Sequence, residues 1–288
     1  MTVWISDEAI KLWYEAEQTG KRGHPKVYGD EVIELMMTLG VVYRLALRQT
    51  EGFLNSILGL MKMDLKSPCY SSLSRRRQTL KVKLPKVRGG EGIHLLVDST
   101  GLKVYGEGEW KMRQHGKTKK RTWTKVHLAI NQASGIIEAV EVTDNSVADH
   151  EVVDDLLEPI EAPIETFTGD GSYDTRKTYD SLYERKTKPI IPPQKNARIW
   201  QHGNSAEVRL PRDQHLRRIR KIGRKKWKQE SGYHQRSKAE TTMFRLKHIT
   251  GSSISVKSFA GRAAEIKVRC AVLNKMTALG RPLSYPVA

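Results

Sequence analysis

The chain has 288 residues, with 50 Lys and Arg against 32 Asp and Glu, a formal charge of +18. A hydrophobic content of 38% excludes a disordered chain. No apolar run reaches the length of a transmembrane helix, and acids stand in MTVWISDEAIKLW where a secretory leader would be basic and then apolar. A field this positive attracts polyanions, nucleic acid before an anionic membrane surface. No amphipathic membrane-anchoring pattern accompanies it, so the expected partner is DNA, without a membrane, in the cytoplasm. Cys69 and Cys270 form neither a Cys-x-x-Cys pair nor a zinc pattern, and no disulfide is expected.

Residues 1–83 read as a small helical region for DNA binding or dimerisation. Ser6 with Asp7 and Glu8 starts a first helix. Asp30 caps DEVIELMMTLGVVYRLALRQTEGFLNSILGLM, whose apolar positions recur at helical spacing over two or three helices. SPCYSSLSRRRQ then pairs a serine-rich turn with Arg75, Arg76 and Arg77, which can face a phosphate backbone or form an ordinary charged surface.

The rhythm changes after the linker LPKVRGGEG. GIHLLVDSTGLKVYG reads as a strand ending at Asp98, a turn and a return strand. TWTKVHLAINQASGIIEAVEVTDN reads as a hairpin turning at Asn131–Gly135. ADHEVVDDLLEPI is a helix, IETFTGD a strand running to Asp170, TRKTYDSLYERK a helix, and KPIIPP a short strand. Hairpin strands followed by alternating helix and strand predict an α/β fold with a mixed central sheet and flanking helices over 84–280. From about 197 to 230 regular periodicity is lost. This basic insertion carries Arg217, Arg218, Arg224, Lys225 and Lys226, and reads as a loop that orders on DNA. A last helix lies within SFAGRAAEIKVRCAVLNKMTAL, and 281–288 is an irregular tail.

Three acids stand apart. Asp98 and Asp170 close apolar runs, the second between Gly169 and Gly171. Glu240 stands in SGYHQRSKAETTMFRLKHITG, where helical geometry puts Tyr233, Arg236, Glu240 and Lys247 within about 60° of one another. An exposed Arg236–Glu240 pair would explain little, but Ala239, Met243, Phe244 and Leu246 suggest a packed helix. Three close carboxylates repel unless cations neutralise them, and Mg²⁺ suits such oxygen ligands. Two such ions about 4 Å apart activate a hydroxyl and steady a leaving oxygen at a phosphodiester. The basic surface would hold the DNA.

The chain resembles a bacterial insertion-sequence transposase of the DDE class, with its ribonuclease H-like catalytic fold. That family's tyrosine-arginine-glutamate-lysine signature leaves two, three and six residues between members, the spacing of Tyr233, Arg236, Glu240 and Lys247. LLVDSTGLK matches the motif of the first acid and TGDGSYDT that of the second. The resemblance covers about 84–280. The spacer before Glu240 is short and basic, without the inserted β-domain of some family variants. The resemblance implies Asp98, Asp170 and Glu240 as catalytic metal ligands for two Mg²⁺ ions, with Mn²⁺ as substitute. Tyr233, Arg236 and Lys247 would position phosphates and the glutamate-bearing helix. It further implies hydrolysis at transposon ends, strand transfer of the released 3′ hydroxyl into target DNA, and a homodimer, assembled on DNA. A nuclease that cuts without joining and a non-catalytic DNA-binding relic are the alternatives.

Other residues carry less. Lys119, Lys120 and Arg121, with Trp110 and Trp123, make a basic stretch with interleaved rings suited to DNA or to closing the core edge. Trp200 and Trp227 flank the later basic run in the same way. His127 reads as a core histidine. Asp174 reads as a helix cap, and Asp149 as an ordinary helix-start acid with a minor metal-side alternative. No GxxxxGK[ST] phosphate loop is present, which removes support for a nucleotide hydrolase.

Overall fold

The computed structural model describes residues 5, 7–14, 27–84, 92–104, 123–201 and 210–280. They fall into two compact units. Those within Met1–Lys83, Val104–Gly106 and Leu246–Leu273 form one, and those within Leu84–Lys103, Glu107–Arg245 and Asn274–Ala288 the other.

The first unit opens with helices α1 (Asp7–Lys11), α2 (Asp30–Tyr43), α3 (Leu47–Leu60) and α4 (Tyr70–Arg76). Gly29 rather than Asp30 is the N-cap of α2, and Asp30 and Glu31 lie in its first turn, where unpaired amides favour negative charge. The helix stops at Arg44, whose φ of 53° is left-handed and whose N–H returns to the Gly40 and Val41 carbonyls. That stop divides the long apolar stretch into two helices. Val32, Ile33 and Met36 of α2, Leu54 and Leu58 of α3 and Leu73 of α4 are buried. Cys69 is exposed, Cys270 is buried, and both are free.

The second unit is built on strands β1 (Ile93–Val104), β2 (Trp123–Asn131), β3 (Ile137–Asp144), β4 (Ile164–Thr168) and β5 (Lys188–Ile190), running side by side in the order β3-β2-β1-β4-β5. β2 is antiparallel to both β1 and β3, and β4 is parallel to both β1 and β5. Between β3 and β4 a 3₁₀ turn (Asp149–Val152) leads into α5 (Val153–Leu157), and α6 (Arg176–Glu184) connects β4 to β5. Leu95, Val97 and Ala129 of the sheet pack with Val153, Leu156 and Leu157 of α5 and with Tyr179 and Leu182 of α6. The architecture is α/β, a mixed sheet flanked by helices and preceded by helices: a ribonuclease H-like fold.

Two expectations are corrected. β1 is one continuous strand of 12 residues that passes through Asp98 without the expected turn and return. Its register with β2 runs unbroken from Leu95↔Asn131 to Lys103↔Trp123. Gly101 serves close approach rather than turning: a β-carbon there would stand 3.1 Å from the Trp123 ring. Residues 211–230, read as an irregular loop, form α7 (Pro211–Ile222) and α8 (Arg224–Glu230). Pro211 occupies a first-turn position where its missing N–H costs nothing, and Gly223, at φ 83°, makes the break between the helices. Few apolar residues mark these helices because ionic and aromatic groups anchor them. Arg212 and Asp213 are buried with Leu216 and Trp227.

The chain continues through a 3₁₀ turn (Tyr233–Arg236) into α9 (Ser237–Thr250), then β6 (Ser253–Ile254) and α10 (Phe259–Ala278). Ile266, Cys270 and Leu273 of α10 are buried.

Candidate active site

Each acid is delivered by a different element. Asp98 lies inside β1, opposite Leu128 of β2. Asp170 lies two residues beyond β4 and caps the short 3₁₀ turn Gly171–Tyr173, its carboxylate accepting from the Ser172 N–H at 2.8 Å. Gly169 is required beside it, since a β-carbon there would meet the Tyr173 ring at 2.6 Å. Glu240 sits in the first turn of α9.

Arg236 joins two of them. Its Nη2 donates to Asp98 Oδ2 at 2.9 Å and its Nη1 to Glu240 Oε1 at 3.0 Å. The Arg236 and Asp98 side chains are 18% and 14% exposed, whereas Glu240 is 64% exposed, so the Asp98 contact is the stronger. Burial pushes the Asp98 carboxyl above its ordinary value, with Arg236 and the Ser99 N–H opposing and Asp170 and Glu240 reinforcing. Burial works against the charge on Arg236, yet Asp98, Tyr233, Asp170 and Glu240 together hold its pKa above normal. Tyr233 feels the same three acids, and its phenol is raised mainly by burial. The three predicted acids therefore share one electrostatic environment.

The signature residues differ in backbone from the expected single helix. Gly232, at φ 72°, interrupts the chain, and Tyr233 and Arg236 occupy a 3₁₀ turn that precedes α9. Lys247 lies two turns beyond Glu240 in α9 and is partly exposed. Ala239, Met243 and Leu246 are buried as expected, but Phe244 is exposed.

Among the described residues, no group of three His, Cys, Asp or Glu side chains is drawn together in a form that could hold a metal ion. The charge between Asp98 and Glu240 is instead the Arg236 guanidinium. The donor set is nevertheless hard carboxylate oxygen, a chemistry that suits Mg²⁺. The residues fit such an ion in their chemistry, and the arginine supplies positive charge between Asp98 and Glu240.

Other predicted positions are more varied. Arg75 is exposed, but Arg76 bonds the Tyr28 carbonyl at 2.7 Å and pairs with Asp30. Arg77 is half-buried, and burial lowers its pKa. Arg217 donates to the Gln201 carbonyl at 3.3 Å, Arg218 makes two 2.9 Å bonds to Glu230, and Arg224 donates to the Pro193 carbonyl at 2.7 Å. Lys225 and Lys226 are exposed. Lys119, Lys120, Arg121, Trp110 and Ser6 lie outside the described residues. Trp227 is buried, and Trp200 packs edge-on to Tyr179 with the Arg212 guanidinium 3.8 Å from its ring centre, so both rings serve the interior. Asp174 does not cap α6; Thr175 does. Asp174 instead receives Arg212 Nε at 2.7 Å in a buried ion pair.

Sequence reasoning missed the hydroxyls that flank the acids. Ser99 follows Asp98 directly, and the Ser172 hydroxyl contacts both Asp170 and Asp149. The available signal was a serine one or two residues after each strand acid, in VDST and GDGS.

Asp98 of the sheet and Glu240 of α9 are thus bridged by Arg236, with Asp170 at the turn after β4. A family model described as Transposase DDE domain matches residues 89–275, and a second model of the same description matches residues 1–107. The chain belongs to the Transposase DDE domain family. Family and fold together support a DDE-type transposase or nuclease function, with the DNA binding typical of transposases. Among solved structures, the piggyBac transposase synaptic complex with hairpin DNA aligns at a TM-score of 0.41 and 11% identity, over 94% of this chain and 71% of that one. Among the described residues, no helix is long and apolar enough to cross a membrane.

Proposed function

We propose that the protein is a DNA transposase that hydrolyses a phosphodiester at transposon ends and transfers the released 3′ hydroxyl into target DNA. The observation that carries this reading is the Arg236 guanidinium bridging Asp98 and Glu240, at 2.9 and 3.0 Å, two of the three acids of the expected motif. Asp98, Asp170 and Glu240 would hold two Mg²⁺ ions, or Mn²⁺ in their place. Bound there, the ions would supply Lewis-acid stabilisation of charge on the attacking and leaving oxygens. The protein's own part is positional. The sheet holds Asp98 rigidly, the capped turn after β4 holds Asp170, and α9 presents Glu240 from the solvent side. Arg236 would exchange its carboxylate partners for a DNA phosphate, with Tyr233 and Lys247 as further phosphate contacts.

Domain roles follow. Residues 1–83 would bind DNA or dimerise, and 84–280 would carry the chemistry. Arg75, Lys225 and Lys226 have exposed side chains suited to the DNA backbone. Arg76, Arg77, Arg217, Arg218 and Arg224 could reach it only by giving up present bonds or burial, and Lys119, Lys120 and Arg121 complete the proposed set. A homodimer assembled on DNA in the bacterial cytoplasm suits an enzyme that joins two ends.

The test incubates purified protein and its Glu240→Gln variant with labelled element ends and Mg²⁺ or Mn²⁺, following cleavage and joining. Joining by wild type, lost in the variant while DNA binding persists, is the expected result. Cleavage without joining would replace this reading with a nuclease. Binding with neither product would replace it with a DNA-binding relic.

A further inference from the structure

Asp149 has a set of partners that a helix-start acid does not need. Its side chain is 17% exposed. Lys125 Nζ lies 2.8 Å from Oδ1 and His127 Nδ1 lies 3.3 Å from the same oxygen. These are ion-pair approaches rather than well-directed hydrogen bonds, since neither Asp149 Oδ1 nor His127 Nδ1 meets hydrogen-bond geometry among the described residues. Ser172 Oγ lies 3.2 Å from the other oxygen, Oδ2. Ser99 stands directly across the ladder from His127, on the same face of the sheet. Burial would raise the pKa of this acid, but His127, Lys125 and Ser99 outweigh it and keep the group ionised.

The Ser172 hydroxyl connects Asp149 to Asp170. Ser99 is the residue after Asp98, and Ser172 is the residue whose N–H and hydroxyl meet Asp170. Side chains alternate faces along a strand, so Ser99 and its cross-strand neighbour His127 lie on the face opposite Asp98. Asp149 is therefore behind the sheet relative to the Asp98 carboxylate, not beside it. The Ser172 hydroxyl has one hydrogen and two carboxylates in reach. When that hydrogen goes to Asp149, Asp170 keeps the Ser172 N–H and its remaining lone pairs are left for a cation.

We infer that Asp149 is a positioning residue, a strut behind the sheet that aligns Asp170 through Ser172 for cation binding. This rests on the reading of Asp170 as metal-holding. The bland alternative is that Asp149 only neutralises Lys125.

The experiment measures Mn²⁺ binding to the full chain by electron paramagnetic resonance. It also follows cleavage rate against Mn²⁺ concentration, with DNA affinity measured without divalent ion. Asp149→Asn is expected to weaken Mn²⁺ binding about tenfold or more, as loss of a partner behind a ligating carboxylate does. The rate at saturating Mn²⁺ should stay near wild type, and DNA affinity should not change. Ser172→Ala should shift the Mn²⁺ midpoint the same way by a smaller factor. The double variant should be no worse than Asp149→Asn, because both act along one connection. Unshifted midpoints in both single variants overturn the inference, as do shifts that multiply in the double variant. A lower melting temperature and lower plateau rate with an unshifted midpoint also overturn it, because they mark a structural role alone. If Asp149→Asn does not fold, Ser172→Ala decides by the same midpoint. A wild-type chain that binds no Mn²⁺ overturns the metal-holding reading, and this inference with it. Wild-type binding with unshifted variants overturns this inference alone.

Discussion

At the scale of single residues, Arg236 is the telling side chain. It lies four residues before Glu240 in sequence and 138 after Asp98, and it bonds both. The local pair was legible as an i,i+4 contact; the distant one was not, because nothing in the chain near residue 236 names its β1 partner. The arginine compensates carboxylates that would otherwise repel one another in a partly desolvated place. Arg236→Ala is accordingly expected to destabilise the metal-free protein by about 1.5–3 kcal/mol, the scale of a hydrogen bond to a charged group. Adding Mn²⁺ should then raise the melting temperature of the variant more than that of wild type, since the ion binds the folded state in place of the lost cation. Thermal melts with and without Mn²⁺ check this. An equal response in the two proteins would mean that the arginine and the ion do not compete for the same carboxylates.

At the scale of elements, α7 and α8 show what periodicity does not reveal. Their sequence is so basic that the apolar signal of a helix is sparse, with Leu216 and Trp227 as its buried positions beside charged ones. What fastens α7 is ionic. Arg212 reaches Asp174 with Nε at 2.7 Å and Nη2 at 3.3 Å, and its Nη1 lies 3.3 Å from Asp213. Asp213 accepts in turn from the Trp200 and Gln201 amides. Removing one partner of a buried pair strands the other charge, at a cost of about 3–5 kcal/mol. Asp213 remains to offset part of that, so Asp174→Asn should cost about 3 kcal/mol, toward the lower end of that range. In a chain of this size the melting temperature should fall by about 6–12 °C. Calorimetry on the variant checks the figure, and a fall of under about 2 °C would mean that the pair adds no stability. By contrast, the β2–β3 hairpin, α5 and α6 were legible, because their apolar period and turn residues are local properties. β1 was misread for the opposite reason. Gly101 looks like a turn, and only the Trp123 ring across the ladder accounts for it.

For the whole molecule, the excess of 18 positive charges predicts a strong salt dependence of DNA binding. A protein making about six phosphate contacts has a slope of log K against log salt near −5, and loses about a thousandfold in affinity from 50 to 200 mM. The paired substitution Lys225→Ala and Lys226→Ala should make that slope shallower by about two, weakening all DNA sequences alike. Filter binding across a salt series measures it, and an unchanged slope would remove these lysines from the interface. The corresponding substitution at Arg218 is expected to have less effect on the slope, because its guanidinium is held by Glu230.

The sequence by itself determined the polyanion-attracting charge, the mixed sheet with its helices, the three acids and the spacing of Tyr233, Arg236, Glu240 and Lys247. These follow from composition, local period and short motifs, all of which are carried by neighbouring residues. Tertiary structure alone decided which charges are spent on the fold. It placed Arg212 on Asp174, Arg76 on Asp30, the Trp227 ring inside and the partly buried Trp200 ring against the core. It also set Arg236 on Asp98 and put Asp149 behind Ser172. Those pairings depend on strand register and on segments far apart in the chain, and a burial partner brought in by folding leaves no periodic trace in the residues it meets.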